Sequence, residues 1–267
     1  MKGTIVLRPG RAFRLRDVDP DDARGIDSPE EAKERLAEDI DRLRKLQRLL
    51  YADGRHALLI VLQAMDTGGK DGTIRHVMSG LNPAGCDVTS FKVPSAEEQA
   101  HDFLWRIHHA VPAHGMIGVF NRSHYEDVLV VRVHGLVPED VWKARYRQIN
   151  QFERHLSENN VTILKFYLHI SKAEQAARLR ARIADKTKNW KFSEADLEER
   201  KLWKEYMAAF EDALNQCSTP WAPWHVVPAN KKWARDAMIA RAMVKTLESL
   251  PLRPPKSKVD LSKIVIR

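Results

Sequence analysis

The stretch that most restricts the fold is "ALLIVLQA" (Ala57–Ala64), which runs straight into "MDTGGKDGT" at residues 65–73. An apolar run of strand length has no polar face to offer water, so it suits a strand buried on both sides, as in a parallel sheet. Gly68 and Gly69 then free the backbone to turn, and a helix is expected from about Lys70. Strand, glycine turn and helix N-terminus together make an anion-binding unit, because the helix start presents unpaired N–H groups and a partial positive charge.

The rest of the chain continues the alternation. Ser28-Pro29-Glu30-Glu31 reads as an N-cap, a first-turn proline and a capping-box glutamate. Leu36, Ile40, Leu43, Leu46 and Leu50 follow at helical spacing, and Gly54 closes that helix. Further strands are expected at residues 88–93, 116–121, 161–170 and 224–229, with helices at about 95–110, 138–156, 172–184, 194–216 and 231–250. This order predicts an α/β three-layer sandwich: a five-stranded parallel sheet with helices on both faces and ligands beyond the carboxyl ends of the strands.

The 267 residues suit one large domain or two small ones, and 43% hydrophobic with 30% charged residues fits a globular protein with a full-sized core. No apolar run reaches membrane-spanning length, and "MKGTIVLRPGRAFRL" has no signal-peptide core, so a cytoplasmic setting is expected. Cys86 and Cys217 are the only cysteines, too few and too far apart for a disulfide framework or a zinc site. The net charge of +8 fits nucleic acid, a membrane surface or an anionic substrate. No RNA-binding signature and no HExxH or GxSxG motif is present, so an anionic substrate is preferred, with neither nucleic acid nor membrane as partner.

A strict phosphate loop reads GxxxxGK[ST]; here Ala64 replaces the first glycine and Asp71 follows Lys70. The physical parts remain. Thr67, Gly68, Gly69, Asp71, Gly72 and Thr73 surround the turn, Lys70 adds a point charge and Thr73 offers a hydroxyl. Asp66 stands where phosphate oxygens would crowd. It could hold Mg2+, which takes one or two carboxylates together with phosphate oxygens and water. It could also polarise the attacking phosphate, or cap the helix, a task for which Asp71 is better placed.

"FNRSHYEDV" at residues 120–128 offers Asn121 at a strand end where an aspartate would hold metal. Arg122 then could brace a phosphate bidentately, and Glu126 or Asp127 could hold Mg2+ or pair with Arg122. "RLRARIADKTKNWKF" at residues 178–192 carries six basic residues and one acid, the make-up of a lid over donor phosphates. Arg180 suits a solvated face, whereas Lys186, Lys188 and Lys191 with Trp190 suggest an ordered anion-binding turn.

"MDTGGKDGT", "FNRSHYEDV" and "DKTKNWKFSEADLEER", in this order, resemble the polyphosphate kinase 2 family over nearly the whole chain. The acidic pair after "NRSHY" is similar to the class III branch, whose members phosphorylate nucleoside mono- and diphosphates from inorganic polyphosphate; other branches carry "YNR" there. The resemblance implies a P-loop kinase-like fold in one domain over residues 1–267, with an N-terminal helical extension at about 1–53 and a helical lid at about 178–203. It also implies a homodimer or homotetramer, Mg2+ (or Mn2+) as cofactor, and polyphosphate, AMP, ADP and ATP as ligands. Catalytic roles fall on Asp66, Lys70, Arg122, Glu126 and Asp127. Phosphate or nucleotide contacts fall on the loop residues with Asn121, Arg178, Arg182, Lys188 and Lys191, and further lid positions on Asp196 and Arg200. Some relatives carry an aspartate where this chain has Asn121, so Asp127 is expected as the second metal ligand beside Asp66. The competing expectation is an ATP-dependent nucleotide kinase, which the missing Ser/Thr after Lys70 disfavours.

Overall fold

The computed structural model describes residues 2–187, 189–257, 259–260 and 264; Lys188 and the side chain of Lys191 lie outside the described residues. The strands are β1 (Ile5–Val6), β2 (Ala57–Ala64), β3 (Cys86–Ser90), β4 (Ile117–Asn121), β5 (Val161–His169) and β6 (Trp224–Pro228). The helices are α1 (Pro29–Asp53), α2 (Lys70–Val77), α3 (Ala96–Gln99), α4 (Trp105–His109), α5 (Val130–Val133), α6 (Glu139–Glu158), α7 (Lys172–Ala184), α8 (Ala195–Lys201), α9 (Trp203–Gln216) and α10 (Lys232–Ser249). Among the described residues the strands form one sheet in the order β1-β6-β5-β2-β4-β3.

The sheet has six strands rather than the expected five. The five read from the sequence run parallel. The sixth, β1, pairs antiparallel with the edge of β6 through Ile5↔Val226 and Val6↔His225. Two residues carry no alternation to read, so only tertiary pairing reveals this strand. The first 53 residues are accordingly built into the body: Leu7, Leu15 and Val18 enter one core cluster, and Leu43 and Leu50 of α1 enter the other.

Every residue of β2 is buried. Leu59 and Val61 pack with Ile149 of α6 and Phe210 of α9, whereas Leu58, Ile60 and Leu62 pack with Leu50 of α1 and Met238 of α10. The two-residue period thus feeds two cores, one on each face. Burying one such side chain stabilises by about 1.5–3 kcal/mol, so neither helix layer can be removed without exposing the sheet. Ser28 Oγ accepts from Glu31 N at 3.1 Å and Gly54 ends the helix at φ 61°, as the sequence suggests, but the Glu31 carboxylate accepts from Asp27 N at 2.7 Å rather than closing a capping box on Ser28.

Three local expectations are corrected. The helix expected at 194–216 is two helices, α8 and α9, broken at Leu202, where ψ is 21°. The helix expected at 95–110 is α3 and α4, because the Asp102 side chain accepts from Leu104 N at 2.9 Å and restarts the chain between them. Strand β3 occupies 86–90 rather than 88–93, and Phe91 leaves it to pack edge-on against Phe120 at 4.9 Å.

From β2 the chain passes through α2 to the edge strand β3 and returns to β4 beside β2. It then crosses to β5 on the other side of β2. The change of direction falls at the carboxyl end of β2, the place where such sheets bind ligands. Leu62 stands level with Asn121 of β4 and Phe166 of β5, so the chain after β2 and the chain after β4 emerge side by side.

Candidate active site

The turn after β2 is tight. Gly68 N donates to Met65 O at 2.9 Å, and a Cβ on Gly68 would stand 2.5 Å from the Ala64 Cβ. Gly69 is the N-cap of α2 at φ 106°, and no side chain caps that helix start. The first-turn N–H groups of α2 are therefore not taken by a side-chain oxygen, as a phosphate cradle requires. Asp71 does not cap; its Oδ1 accepts from Asn121 Nδ2 at 2.8 Å and ties the loop to the end of β4. Thr67, although not glycine, has φ 60°, and Arg122 has φ 63°. Left-handed backbone at such residues is held against a cost and concentrates at functional turns.

Four charged side chains converge at this corner. Arg122 Nη2 donates to Asp66 Oδ1 at 2.7 Å, and both side chains stay partly open to solvent, at 40% and 25%. Lys70 Nζ turns back to the Ala64 carbonyl at 3.0 Å. Burial and the neighbouring Arg122 pull its pKa below the ordinary range, opposed by Asp66, Glu126 and Asp71. Glu126 is largely buried within electrostatic reach of Arg122, Lys70 and Asp66; burial raises its pKa, and the two cations work against that rise.

Asp127, expected as the second metal ligand, is turned away. Its Oδ1 accepts from Arg145 Nη1 at 3.0 Å, and the charges acting on it are Arg145, Arg106 and His124, not those of the loop. Thr73 likewise faces away, donating its hydroxyl to Asp236 Oδ1 at 3.3 Å on α10.

Arg178 lies behind the loop. Its Nη1 donates to the carbonyls of Thr67 and Gly68, both at 3.0 Å. Its Nη2 reaches Ala229 O and Asn230 O at 2.6 and 3.1 Å, and its Nε donates to Glu174 Oε1 at 2.7 Å. All five N–H groups of a guanidinium are then engaged by the protein, so Arg178 fixes the loop rather than opening to a ligand. Arg182 Nη1 donates to Asp196 Oδ2 at 2.9 Å. Burial and the nearby Asp66 raise the Asp196 pKa, so Asp196 of α8 lies within electrostatic reach of Asp66. Arg200 Nη1 bonds Lys172 O and Gln175 Oε1 at 2.7 and 2.9 Å.

Sequence reasoning missed the supports of this corner. Gln175 Nε2 donates to Asp66 O at 3.1 Å, and no pattern in α7 marks it out. Beneath residues 121–128, Glu153 accepts from Tyr125 Oη at 2.8 Å and faces His124 Nε2 at 3.2 Å. Lys165 Nζ contacts Glu153 Oε2, Tyr125 Oη and Cys217 O at 2.6, 2.7 and 2.7 Å. Ser123 Oγ accepts from Gln63 Nε2 at 3.1 Å. Ser123, His124 and Tyr125 thus point inward while Arg122 and Glu126 reach the loop. A lysine inside the apolar strand "VTILKFYLHI" was a readable sign that a buried counter-charge had to exist. Arg235 and Asp236, a charged pair on the buried face of α10, carried a similar sign.

The chain is similar to known proteins over most of its length. Residues 26–253 match the model of a family described as polyphosphate kinase 2. An AMP/ADP-polyphosphate phosphotransferase of Meiothermus ruber is 52% identical over 261 residues, covering 97% of this chain and 98% of that one. An ADP-polyphosphate phosphotransferase of Rhodopseudomonas palustris is 49% identical over 243 residues, covering 86% and 84%. A crystal structure of polyphosphate kinase 2 from Arthrobacter aurescens TC1 superposes with a TM-score of 0.93 at 46% identity, covering 96% of this chain and 92% of that one.

Proposed function

The chain belongs to the polyphosphate kinase 2 family, and from that premise we infer that it moves the terminal phosphoryl group of inorganic polyphosphate to AMP and ADP, reversibly. The observation that carries this reading is the corner formed by Asp66, Lys70, Arg122 and Glu126 on a loop with aspartate after the lysine. The Meiothermus relative, an AMP/ADP-polyphosphate phosphotransferase, supports both acceptors, and the Rhodopseudomonas relative, an ADP-polyphosphate phosphotransferase, supports ADP.

In the transfer, an already ionised phosphate oxygen of the acceptor forms a bond to the terminal phosphorus of the chain. The bond from that phosphorus to its bridging oxygen breaks, and the shortened polyphosphate leaves with the electron pair on that oxygen. No general base is needed, so the protein's part is alignment and charge neutralisation. The N–H groups at the start of α2, from Lys70 to Gly72, cradle the donor phosphates. Lys70 and Arg122 neutralise the charge that spreads over the transferring group. Asp66 orients Arg122 through their ion pair, and Gln175 and Arg178 hold the loop backbone in place. The lid residues Arg182, Lys188 and Lys191 complete the phosphate contacts.

Mg2+, or Mn2+ in its place, fits the donor set. Among the described residues no group of three or more His, Cys, Asp or Glu converges, so the chain offers the two carboxylates of Asp66 and Glu126 and leaves other positions to phosphate oxygens and water, as Mg2+ prefers. Held by Asp66 and Glu126, the ion would supply positive charge that offsets the charge of the phosphates. Glu126 takes the second-carboxylate role because Asp127 is held by Arg145.

Among the described residues no helix is long and apolar enough to cross a membrane. A cytoplasmic homodimer or homotetramer is the expected form, which light scattering on the purified protein tests. The deciding experiment is incubation with polyphosphate, AMP and MgCl2. ADP and then ATP are expected. Phosphorylation of AMP from ATP with none from polyphosphate would reject the reading in favour of an ATP-dependent kinase.

A further inference from the structure

Arg235 lies in α10 and is 1% exposed. Its Nε donates to Asp236 Oδ1 at 2.8 Å, and its Nη2 lies 2.7 Å from the same oxygen. Its Nη1 is buried and has no hydrogen-bond partner among the described residues. Asp236 is not reserved for Arg235, since it also accepts from the Thr73 hydroxyl at 3.3 Å and stands 2.7 Å from His76 Nδ1. The guanidinium is pressed against the phosphate loop. A Cβ on Gly69 would stand 2.0 Å from Arg235 Nη1 and 3.1 Å from Cζ, so only glycine admits the charge this close. The same Cβ would lie 3.5 Å from Nη1 of Arg178, which puts two cations on the back of one residue. Burial lowers the Arg235 pKa, Asp236 opposes this, and Arg178 adds to the lowering.

A buried cationic N–H without a partner is costly; Asp236 and Glu174 each take one edge of the two guanidiniums, and Arg235 Nη1, on the side of Gly69, is left to a further anion. We propose that Arg235 is a donor-binding residue, the fixed positive charge behind Gly69 that holds the phosphate chain in the loop. The proposal rests on polyphosphate being the donor. A phosphate in the loop meets Lys70 from within and Arg235 across one thickness of backbone, where little solvent intervenes to screen the attraction. The charge acts on what the loop holds, so its loss is expected to weaken the donor and to spare the acceptor nucleotide.

The test is calorimetric titration of tripolyphosphate, without nucleotide, into the wild type, Arg235→Lys and Arg235→Met. Arg235→Met is expected to weaken Kd by about tenfold or more, with partial recovery in Arg235→Lys. In steady-state assays the polyphosphate KM rises by a similar factor while the AMP KM stays within about twofold. Should Arg235→Met not fold, Arg235→Gln replaces it, because its amide still donates to Asp236 while the charge is gone. Equal Kd for the wild type and the neutral variant overturns the proposal. A wild type that binds no tripolyphosphate overturns instead the assignment of polyphosphate as donor.

Discussion

Replacing Glu153 with glutamine removes one negative charge from the cluster beneath residues 121–128, where Glu153 and Lys165 are both 0% exposed. The Lys165 ammonium keeps Tyr125 Oη and Cys217 O as partners but has no counter-charge left in contact. Breaking a buried pair in this way costs about 3–5 kcal/mol. For a domain of this size each kcal/mol moves the midpoint by about 2–4 °C, so a fall of roughly 6–20 °C is expected in a thermal unfolding scan. The loss reaches function as well, because Tyr125 and His124 hold the turn that presents Arg122 and Glu126. A shift of about 1 Å at reacting groups costs roughly 10²-fold, so kcat should fall well beyond any loss of folded protein at a temperature where both enzymes are native. The double variant Glu153→Gln/Lys165→Met discharges both partners and is expected to be more stable than Glu153→Gln alone. A midpoint for Glu153→Gln within about 3 °C of the wild type, or a double variant less stable than the single, would refute the reasoning.

Asp66→Asn is expected to lower kcat by about 10²-fold or more while leaving the melting temperature nearly unchanged, since its ion pair is partly solvated; steady-state rates and a melting curve check both halves. Glu126→Asn should weaken AMP use more than ADP use, and an unaltered ratio of the two kcat/KM values would remove Glu126 from acceptor choice. Stability should fall as pH drops from about 6.5 towards 4. Burial pushes His169 and His225 down to about 4, with Lys165 adding to the effect on His225. Across that window the unfolded chain binds more protons than the folded one, so acid favours unfolding, and above it the two histidines contribute no pH dependence. Melting temperatures at pH 7.5 and 5.0 test this, and His225→Gln should flatten the difference.

The sequence by itself determined the elements whose cause is local. The apolar run of β2 had to be buried on both faces, Ser28 and Gly54 had to bound α1, and Gly68 and Gly69 had to turn the chain into α2. Those outcomes follow from backbone period, capping and left-handed turns, which a few neighbouring residues control. The motifs also held residues that fold to one corner, because Asp66, Lys70, Arg122 and Glu126 come together there. What only the tertiary structure decided is where long side chains point. Glu126 and Asp127 are adjacent in sequence, yet one faces the loop and the other pairs with Arg145 on α6. Arg178 looked like a lid cation, but the carbonyls of Thr67, Gly68, Ala229 and Asn230 surround its fork. Strand β1 exists only because the edge of β6 offers it a ladder. In each case the deciding partner lies far along the chain, and a charged or hydrogen-bonding group takes the direction in which folding supplies its partner.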